Sequence, residues 1–379
     1  MNESVITKER YLKVAQKYNF TKRELELAYL KISGFSNRRI AYIYGISEQT
    51  VKNHFTHIYE KAWVPGRKEL IELFKINDEE NLKKLFAIAA NIRDKNKSIK
   101  LTSTIHLTNK CQVQPRCKYC GFATKTSQDG YYDSFYKSGE DIYKIAKCVE
   151  DSGIPRISCS GGHGYKGKQA VDAAKIVKGK TSLELLVNVG ADLTKEAINE
   201  LKECGTDTIC CNLETTNEEL FNYLKPGENL SDRINVCKMV SEAGVGLSSG
   251  LLIGVGESYE DRVNHLLFLS QFESLEEIPI MGFNPYSGTP MENHPPCSME
   301  EQLKTVAIVR IMYPNIRITV PTPTIGPKNV EYSLTAGANN LATVIPENYP
   351  LSVKGVGSPD YGNLHDVVSV IEELGLEVQ

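Results

Sequence analysis

The sequence predicts an α/β protein: a parallel (β/α)8 barrel of TIM type over residues 76–379, preceded by a small all-α helix-turn-helix domain over residues 1–75. Three observations predict it. Eight strand-like runs (99–107, 156–160, 183–187, 208–213, 245–253, 278–283, 316–320 and 341–345) alternate with amphipathic helical patterns. The 379 residues exceed one ordinary small domain. The charge also divides. Residues 1–75 carry 14 Lys/Arg against 8 Asp/Glu, a net of +6, whereas the rest carries 30 against 39, a net of −9. A basic head on an acidic body implies two modules with different partners.

Hydrophobic content of 41% and charged content of 24% are those of a water-soluble globular chain. The opening MNESVITKER lacks the apolar run of a secretory signal, and the uncharged stretch 244–256 is too short to span a bilayer. These features predict a cytoplasmic protein with no membrane partner. Ten cysteines in a reducing compartment are not a disulfide framework. Seven are scattered (Cys148, Cys159, Cys204, Cys210, Cys211, Cys237 and Cys297) and read as buried inert thiols.

In the first module, Thr21-Lys22-Arg23-Glu24 has the form of a capping box, the Thr hydroxyl and the Glu carboxylate each taking an amide at a helix start. The helix it opens sets Leu25, Ala28 and Tyr29 on one face, and Gly34 ends it. Ser36 caps a short helix carrying Ile40, Ala41 and Ile43, and Gly45-Ile46 forms a turn. Ser47 caps a third helix with Val51, Phe55 and Ile58 inward. Gln49, Lys52, Asn53, His54 and His57 then face outward, residue types that meet base edges and phosphates. Along its length, and most specifically in SNRRIAYIYGISEQTVKNHFTHIYEK, the stretch 20–74 resembles the LuxR/GerE-type helix-turn-helix family. The resemblance implies a DNA partner, bound usually as a dimer. A helical appendage redeployed for protein contacts is the alternative.

In the second module the helical pattern of Leu82, Leu85, Phe86, Ala89 and Ile92 leads into the first strand. The chemistry of such barrels sits on loops after the strand C-termini, and four motifs fall there. Cys111, Cys117 and Cys120 form a C-x5-C-x2-C after the first strand. Soft thiolates at this spacing hold zinc or iron–sulfur. A structural zinc site takes four protein ligands, and here three are local with no second Cys pair, which favours a cluster with one open iron. Ser160-Gly161-Gly162 closes the second strand, where paired glycines allow close backbone approach to a ligand, or make a plain turn. Asn212-Leu213-Glu214-Thr215 ends the fourth strand, with Arg233 in the following helix. A carboxylate and a guanidinium facing one pocket hold an amino acid's ammonium and carboxylate. The run Gly250 to Glu257 lacks G-x-G-x-x-G spacing, so a dinucleotide fingerprint is rejected.

Taken together, CKYCGF, NLETT with Arg233, GLLIGVGES, FNPYSGTPM and TAGANNL make residues 81–376 resemble the biotin synthase-like branch of the radical S-adenosylmethionine (SAM) superfamily. The resemblance implies a radical SAM barrel. Cys111, Cys117 and Cys120 would ligate a 4Fe–4S cluster whose fourth iron is chelated by SAM. It also implies SAM contacts from Tyr119 and Leu252 (backbone, to adenine), from Gly161 and Gly162, and from Glu214 and Arg233. A small-molecule substrate and an electron donor such as a ferredoxin are the implied partners. His163 stands where many members have an acid. Of the four ligand positions of biotin synthase's second cluster only Cys159 matches; Val187 and Leu247 occupy two others. Biotin synthesis is therefore not expected. The five-residue first gap is similar to that of the radical SAM proteins of Fe-hydrogenase cofactor biosynthesis in methanogenic archaea (HcgA, also called HmdB). This implies a step toward the guanylylpyridinol cofactor. The alternatives are another biotin synthase-like enzyme, a mutase or a diiron-cofactor maturase, or a DNA-binding Fe–S redox regulator, against which a full SAM pocket argues. No catalytic side chain is identifiable; Tyr165, Asn188, Asn284, Tyr286 and Thr322 are candidate substrate contacts.

Overall fold

In the computed structural model, described over residues 21–32, 35–62, 66–96, 98–123, 135–188, 190–350 and 362–379, the chain divides into two compact units, Met1–Lys75 and Ile76–Gln379. No helix among the described residues is long and apolar enough to cross a membrane.

The first unit is helical: α1 (Lys22–Ile32), α2 (Asn37–Tyr44), α3 (Glu48–Ala62) and α4 (Arg67–Phe74). The capping box forms: Thr21 N–H donates to Glu24 Oε2 at 2.6 Å, and Glu24 N–H donates to Thr21 Oγ1 at 3.2 Å. Ser36 accepts from Arg39 N–H, and Gly45 takes the left-handed conformation (φ 62°) that ends α2. Leu27, Ile40, Ala41, Val51, Phe55 and Ile58 make the core. Two expectations change. Leu27 is fully buried where Leu25, Ala28 and Tyr29 were expected from that helix, and Ile43 is 45% exposed. Ile43 lies about 200° around the helix from Ala41, so the core receives Tyr44 instead. The Tyr29 side chain and Gly34 lie outside the described residues.

The second unit opens with α5 (Glu79–Arg93), whose Leu82, Leu85 and Ala89 are buried. The strands that follow are β1 (Ser98–His106), β2 (Arg156–Ser160), β3 (Glu184–Asn188), β4 (Thr208–Cys210), β5 (Gly246–Ser248), β6 (Leu251–Ile253), β7 (Leu275–Gly282), β8 (Arg317–Pro321) and β9 (Asn340–Ala342). All pair in parallel, β1 pairs with β9, and β5 and β6 are two halves of one stave, both against β7. The result is a closed eight-strand barrel. Its connections are right for the pattern: α6 (Gly139–Asp151), α7 (Lys168–Lys180) and α8 (Lys195–Glu203) precede β2, β3 and β4 in turn, and α11 (Tyr259–Leu269) and α12 (Met299–Met312) follow β6 and β7. Between β4 and β5 lie two helices, α9 (Glu218–Leu224) and α10 (Leu230–Ala243), where the sequence suggested one. The break between β5 and β6 falls at Gly250, where a Cβ would stand 1.9 Å from the Pro279 carbonyl oxygen. Only glycine lets the two staves approach so closely.

The N-terminal end of the barrel is filled by polar side chains. Arg156 donates to Glu277 at 2.7 Å and to Thr208 at 3.0 Å, and Thr319 joins Glu277 to Asn340, which accepts from Thr102 at 3.1 Å. These residues belong to strands on opposite sides of the barrel, so the same parity in each strand faces its lumen. Every one of them is nearly fully buried, and mutual hydrogen bonding is what makes a buried polar plug tolerable.

Candidate functional site

The opposite end carries the cysteine loop. Thr108 starts it by accepting Lys110 N–H on its hydroxyl and donating that hydroxyl to the Phe135 carbonyl. Gln112 N–H donates to the His163 carbonyl at 2.8 Å and Lys118 N–H to the Leu224 carbonyl at 2.9 Å. The loop is thus held between the end of β2 and the turn after α9. Two glycines permit this. A Cβ on Gly162 would sit 2.2 Å from Lys110 O, and one on Gly227 2.3 Å from Pro115 O.

Cys111, Cys117 and Cys120 are free and half-buried. Burial, then the neighbouring Cys117, pushes the Cys120 thiol up to about 12. Burial likewise raises Cys117, against the opposing charge of Lys225. Each thiol must lose its proton to bind metal, so ligation here is coupled to proton release. No three His, Cys, Asp or Glu side chains among the described residues converge as the donors of a single ion would. That is no bar to a cluster, whose thiolates each hold a different iron. The donor chemistry, three soft thiols and no carboxylate among them, fits iron–sulfur.

Glu214 lies just past β4 with φ 64°, a left-handed backbone that non-glycine residues rarely adopt. The strain is held by neighbours: Glu214 N–H donates to Gly250 O, Leu252 N–H donates to Glu214 O, and Asn212 Oδ1 accepts Gly250 N–H at 2.9 Å. Glu214 Oε1 accepts the Tyr119 hydroxyl at 3.0 Å and lies 3.7 Å from Lys225 Nζ. Its Oε2 is buried with no hydrogen-bond partner. Burial and the Glu214 charge hold the Tyr119 phenol well above its ordinary value.

Arg233, in the second turn of α10, donates through Nε to Glu228 Oε2 at 2.5 Å and through Nη1 to Asn212 O at 2.5 Å. Its Nη2 is buried and unpartnered. His163 Nδ1 lies 3.3 Å from Glu228 Oε1. Burial opposes ionisation of Glu228, yet the His163 hydrogen bond and the Arg233 and Lys225 charges hold its carboxyl far below the usual range. Burial lowers His163, against that same hydrogen bond.

The structure therefore brings together Cys111, Cys117, Cys120, Tyr119, Gly161, Gly162, Glu214 and Arg233. The N–H groups of Gly161 and Gly162 are engaged by Asn188 O and Thr108 O, which leaves their carbonyls as the groups able to meet an ammonium. Leu252 packs with Leu224, Val255, Phe283 and Met291, with Tyr119 against them, an apolar wall for a flat ring. The substrate candidates separate. Asn188 borders the glycine pair, and Tyr165 donates to Lys110 O at 2.8 Å. Asn284 and Tyr286 line a cleft of about 520 Å³ with Gln302 and Thr324. Thr322 is fully buried, its hydroxyl spent on Thr343 O and Gly362 N–H. Lys225 and Glu228 were not picked out from the sequence. Their signal was a charged pair flanking Pro226-Gly227, in a turn that looked like an ordinary solvated connection.

A parallel barrel with a thiol trio at its mouth, beside a buried carboxylate and guanidinium each with one unmatched atom, defines a class of cluster- and ligand-binding barrel enzymes. Comparison with known families agrees with that class. The chain matches the radical SAM superfamily over residues 105–269, the Biotin and Thiamin Synthesis associated domain over 279–377, and the bacterial regulatory proteins, luxR family, over 18–74. It is 59% identical over 310 residues to an uncharacterized protein of Methanocaldococcus jannaschii, covering 82% of this chain and 83% of the relative. It is 32% identical over 269 residues to biotin synthase of Fusobacterium nucleatum, covering 65% and 71%. The crystal structure of a methylornithine synthase has the same fold (TM-score 0.75, 22% identity, covering 83% of this chain and 94% of that one). The chain belongs to the radical SAM superfamily, in its biotin synthase-like branch, enzymes that use a 4Fe–4S cluster and SAM.

Proposed function

We propose that Cys111, Cys117 and Cys120 hold the cluster, and that the enzyme cleaves SAM reductively for a step in biosynthesis of the guanylylpyridinol cofactor of Fe-hydrogenase. The observation that carries the SAM site is the pair of buried unmatched atoms, Glu214 Oε2 and Arg233 Nη2. An orphaned buried acceptor and an orphaned buried donor in one mouth are costly unless a ligand completes them. SAM's ammonium suits Glu214 Oε2 with the Gly161 and Gly162 carbonyls, and its carboxylate suits Arg233 Nη2. Tyr119 and Leu252 then flank the adenine. Held by Cys111, Cys117 and Cys120, a 4Fe–4S cluster would supply the electron for reductive cleavage of SAM, and SAM the 5′-deoxyadenosyl group for hydrogen abstraction from the substrate. The protein's share is orientation and exclusion of water.

The particular pathway is supported by the five-residue gap of the cysteine motif. It is supported too by Val187 and Leu247, which offer no thiols for a second, sulfur-donating cluster. A ferredoxin-type protein is the proposed electron donor. The first unit is proposed to bind duplex DNA, on the support of its luxR-family match and the exposed Gln49, Lys52, Asn53 and His57. The test is anaerobic reconstitution with SAM, dithionite and candidate pyridinol precursors. 5′-Deoxyadenosine formed in step with precursor consumption supports the reading; SAM cleavage coupled instead to an amino acid replaces it with a mutase.

A further inference from the structure

We propose that Lys225 sets the reduction potential of the cluster. The inference rests on the assignment of the cluster to the three thiols and adds a residue that no motif supplied.

Lys225 caps the end of α9, and its side chain is 4% exposed. Its Nζ stands 3.9 Å from Cys117 Sγ, 3.7 Å from Glu214 Oε1 and 5.2 Å from the centre of the Tyr119 ring. Its position is fixed by backbone. Lys225 N–H donates to Phe221 O, Glu228 N–H donates to Lys225 O, and the preceding Leu224 carbonyl takes Lys118 N–H from the cysteine loop itself. Pro226 and Gly227 follow, the glycine packed under Pro115 with no room for a side chain. The Lys225 backbone is therefore tied to the cysteine loop, and its ammonium is buried beside that loop.

Charge decides what such a group does. Reduction adds one electron to the cluster and no proton, so the reduced site is one unit more negative and a fixed cation beside it favours that state. Screening is weakened because the ammonium is buried. The buried carboxylates nearby each have a cationic partner. Glu228 is held by Arg233 at 2.5 Å and by His163 at 3.3 Å, and Glu214 shares its Oε1 between Tyr119 and Lys225. Lys225 is a buried cation 3.9 Å from a ligating thiol. It also touches the carboxylate assigned to SAM's ammonium, so one side chain spans the electron's source and the molecule that receives it.

The experiment is an EPR-monitored redox titration of the reconstituted full-length protein with dithionite and mediators, without SAM, alongside iron analysis. In Lys225→Met and Lys225→Gln the midpoint should move negative by at least 59 mV, a tenfold loss in the one-electron reduction equilibrium. Lys225→Arg should stay near wild type. Neutral variants with full iron that titrate at the wild-type midpoint overturn the inference, as does an equal shift in all three variants, which marks a packing effect. If the Met variant takes up no cluster, the Gln and Arg pair decides by the same criterion. A wild-type protein without iron overturns the cluster assignment itself, and this inference with it.

Discussion

Tyr119 donates its hydroxyl to Glu214 Oε1 at 3.0 Å across 95 positions of sequence, tying the cysteine loop to the end of β4. The bond uses one carboxylate oxygen and leaves the other unmatched, so a ligand taken up by Oε2 would share its carboxylate with the loop that carries the thiols.

Replacing Glu214 by Ala removes a charge-assisted contact and should weaken SAM binding by roughly 1.5–3 kcal/mol with cluster content unchanged. Arg233→Ala should weaken SAM similarly, and it also strands Glu228 as a buried charge, costing about 3–5 kcal/mol in unfolding free energy. Calorimetric SAM titration and a denaturant melt separate the two effects. Normal SAM affinity in either variant removes that residue from the site.

Cys117→Ala should abolish cluster assembly. Wild-type protein should take up about four irons per chain, with an EPR signal that changes on adding SAM, and the variant should lose both. Stoichiometric zinc without iron in the wild type would sink the cluster assignment.

A methyl group on Gly162 has no space beside Lys110 O, whatever happens to SAM. Gly162→Ala should therefore displace the cysteine loop, lowering iron incorporation and thermal stability together. A variant with full iron and an unchanged melting temperature contradicts this account of the glycine pair.

His265, inside α11, is 1% exposed with no hydrogen-bond partner for either ring nitrogen, and burial pushes it down to about 3. Above pH 6.5 neither folded nor unfolded chain protonates it, so it contributes no pH dependence. As pH falls from 6.5 toward 3 the unfolded chain takes the proton first, and stability should drop by about 1.4 kcal/mol per pH unit from this residue. Denaturant melts of His265→Leu across that window should show a flatter profile than wild type; a parallel profile refutes it.

For the helical unit, affinity for duplex DNA should fall with salt at a log–log slope of about −0.9 per phosphate contact. Replacing Lys52 should flatten the slope. Replacing Asn53, which accepts Gln49 Nε2 at 3.0 Å on the exposed side of α3, should instead change sequence preference. Fluorescence anisotropy with full-length protein at several salt concentrations checks both; absence of binding at low salt leaves the unit a structural appendage.

Much of this was legible in the sequence because it is local. The capping box, the Val51, Phe55 and Ile58 stripe and the eight strand runs are periodic signals, and each strand run has its strand. The Cys111–Cys120 motif was visible through spacing alone. What was hidden is long-range. Nothing near Lys225 in sequence says that its ammonium lies against Cys117, 108 residues away. Nothing near Glu228 says that it neutralises Arg233 and receives His163. Gly162 was noticed for a ligand's sake, yet its first duty is to make room for Lys110. Ile43 misled because an eight-residue helix offers too few turns for its buried face to be fixed by pattern.

Among the described residues, the polar plug of Arg156, Glu277, Thr319, Asn340 and Thr102 fills the end of the barrel opposite the thiols, so a reactant seated in the lumen would enter from the thiol-bearing mouth. With SAM held at Glu214 and Arg233 in that mouth, a reactant seated deeper would bind before SAM and leave after SAM's fragments, so ordered kinetics are the expected outcome. A product that lingers should act as a stopper, inhibiting competitively against the deep-seated reactant and not against SAM.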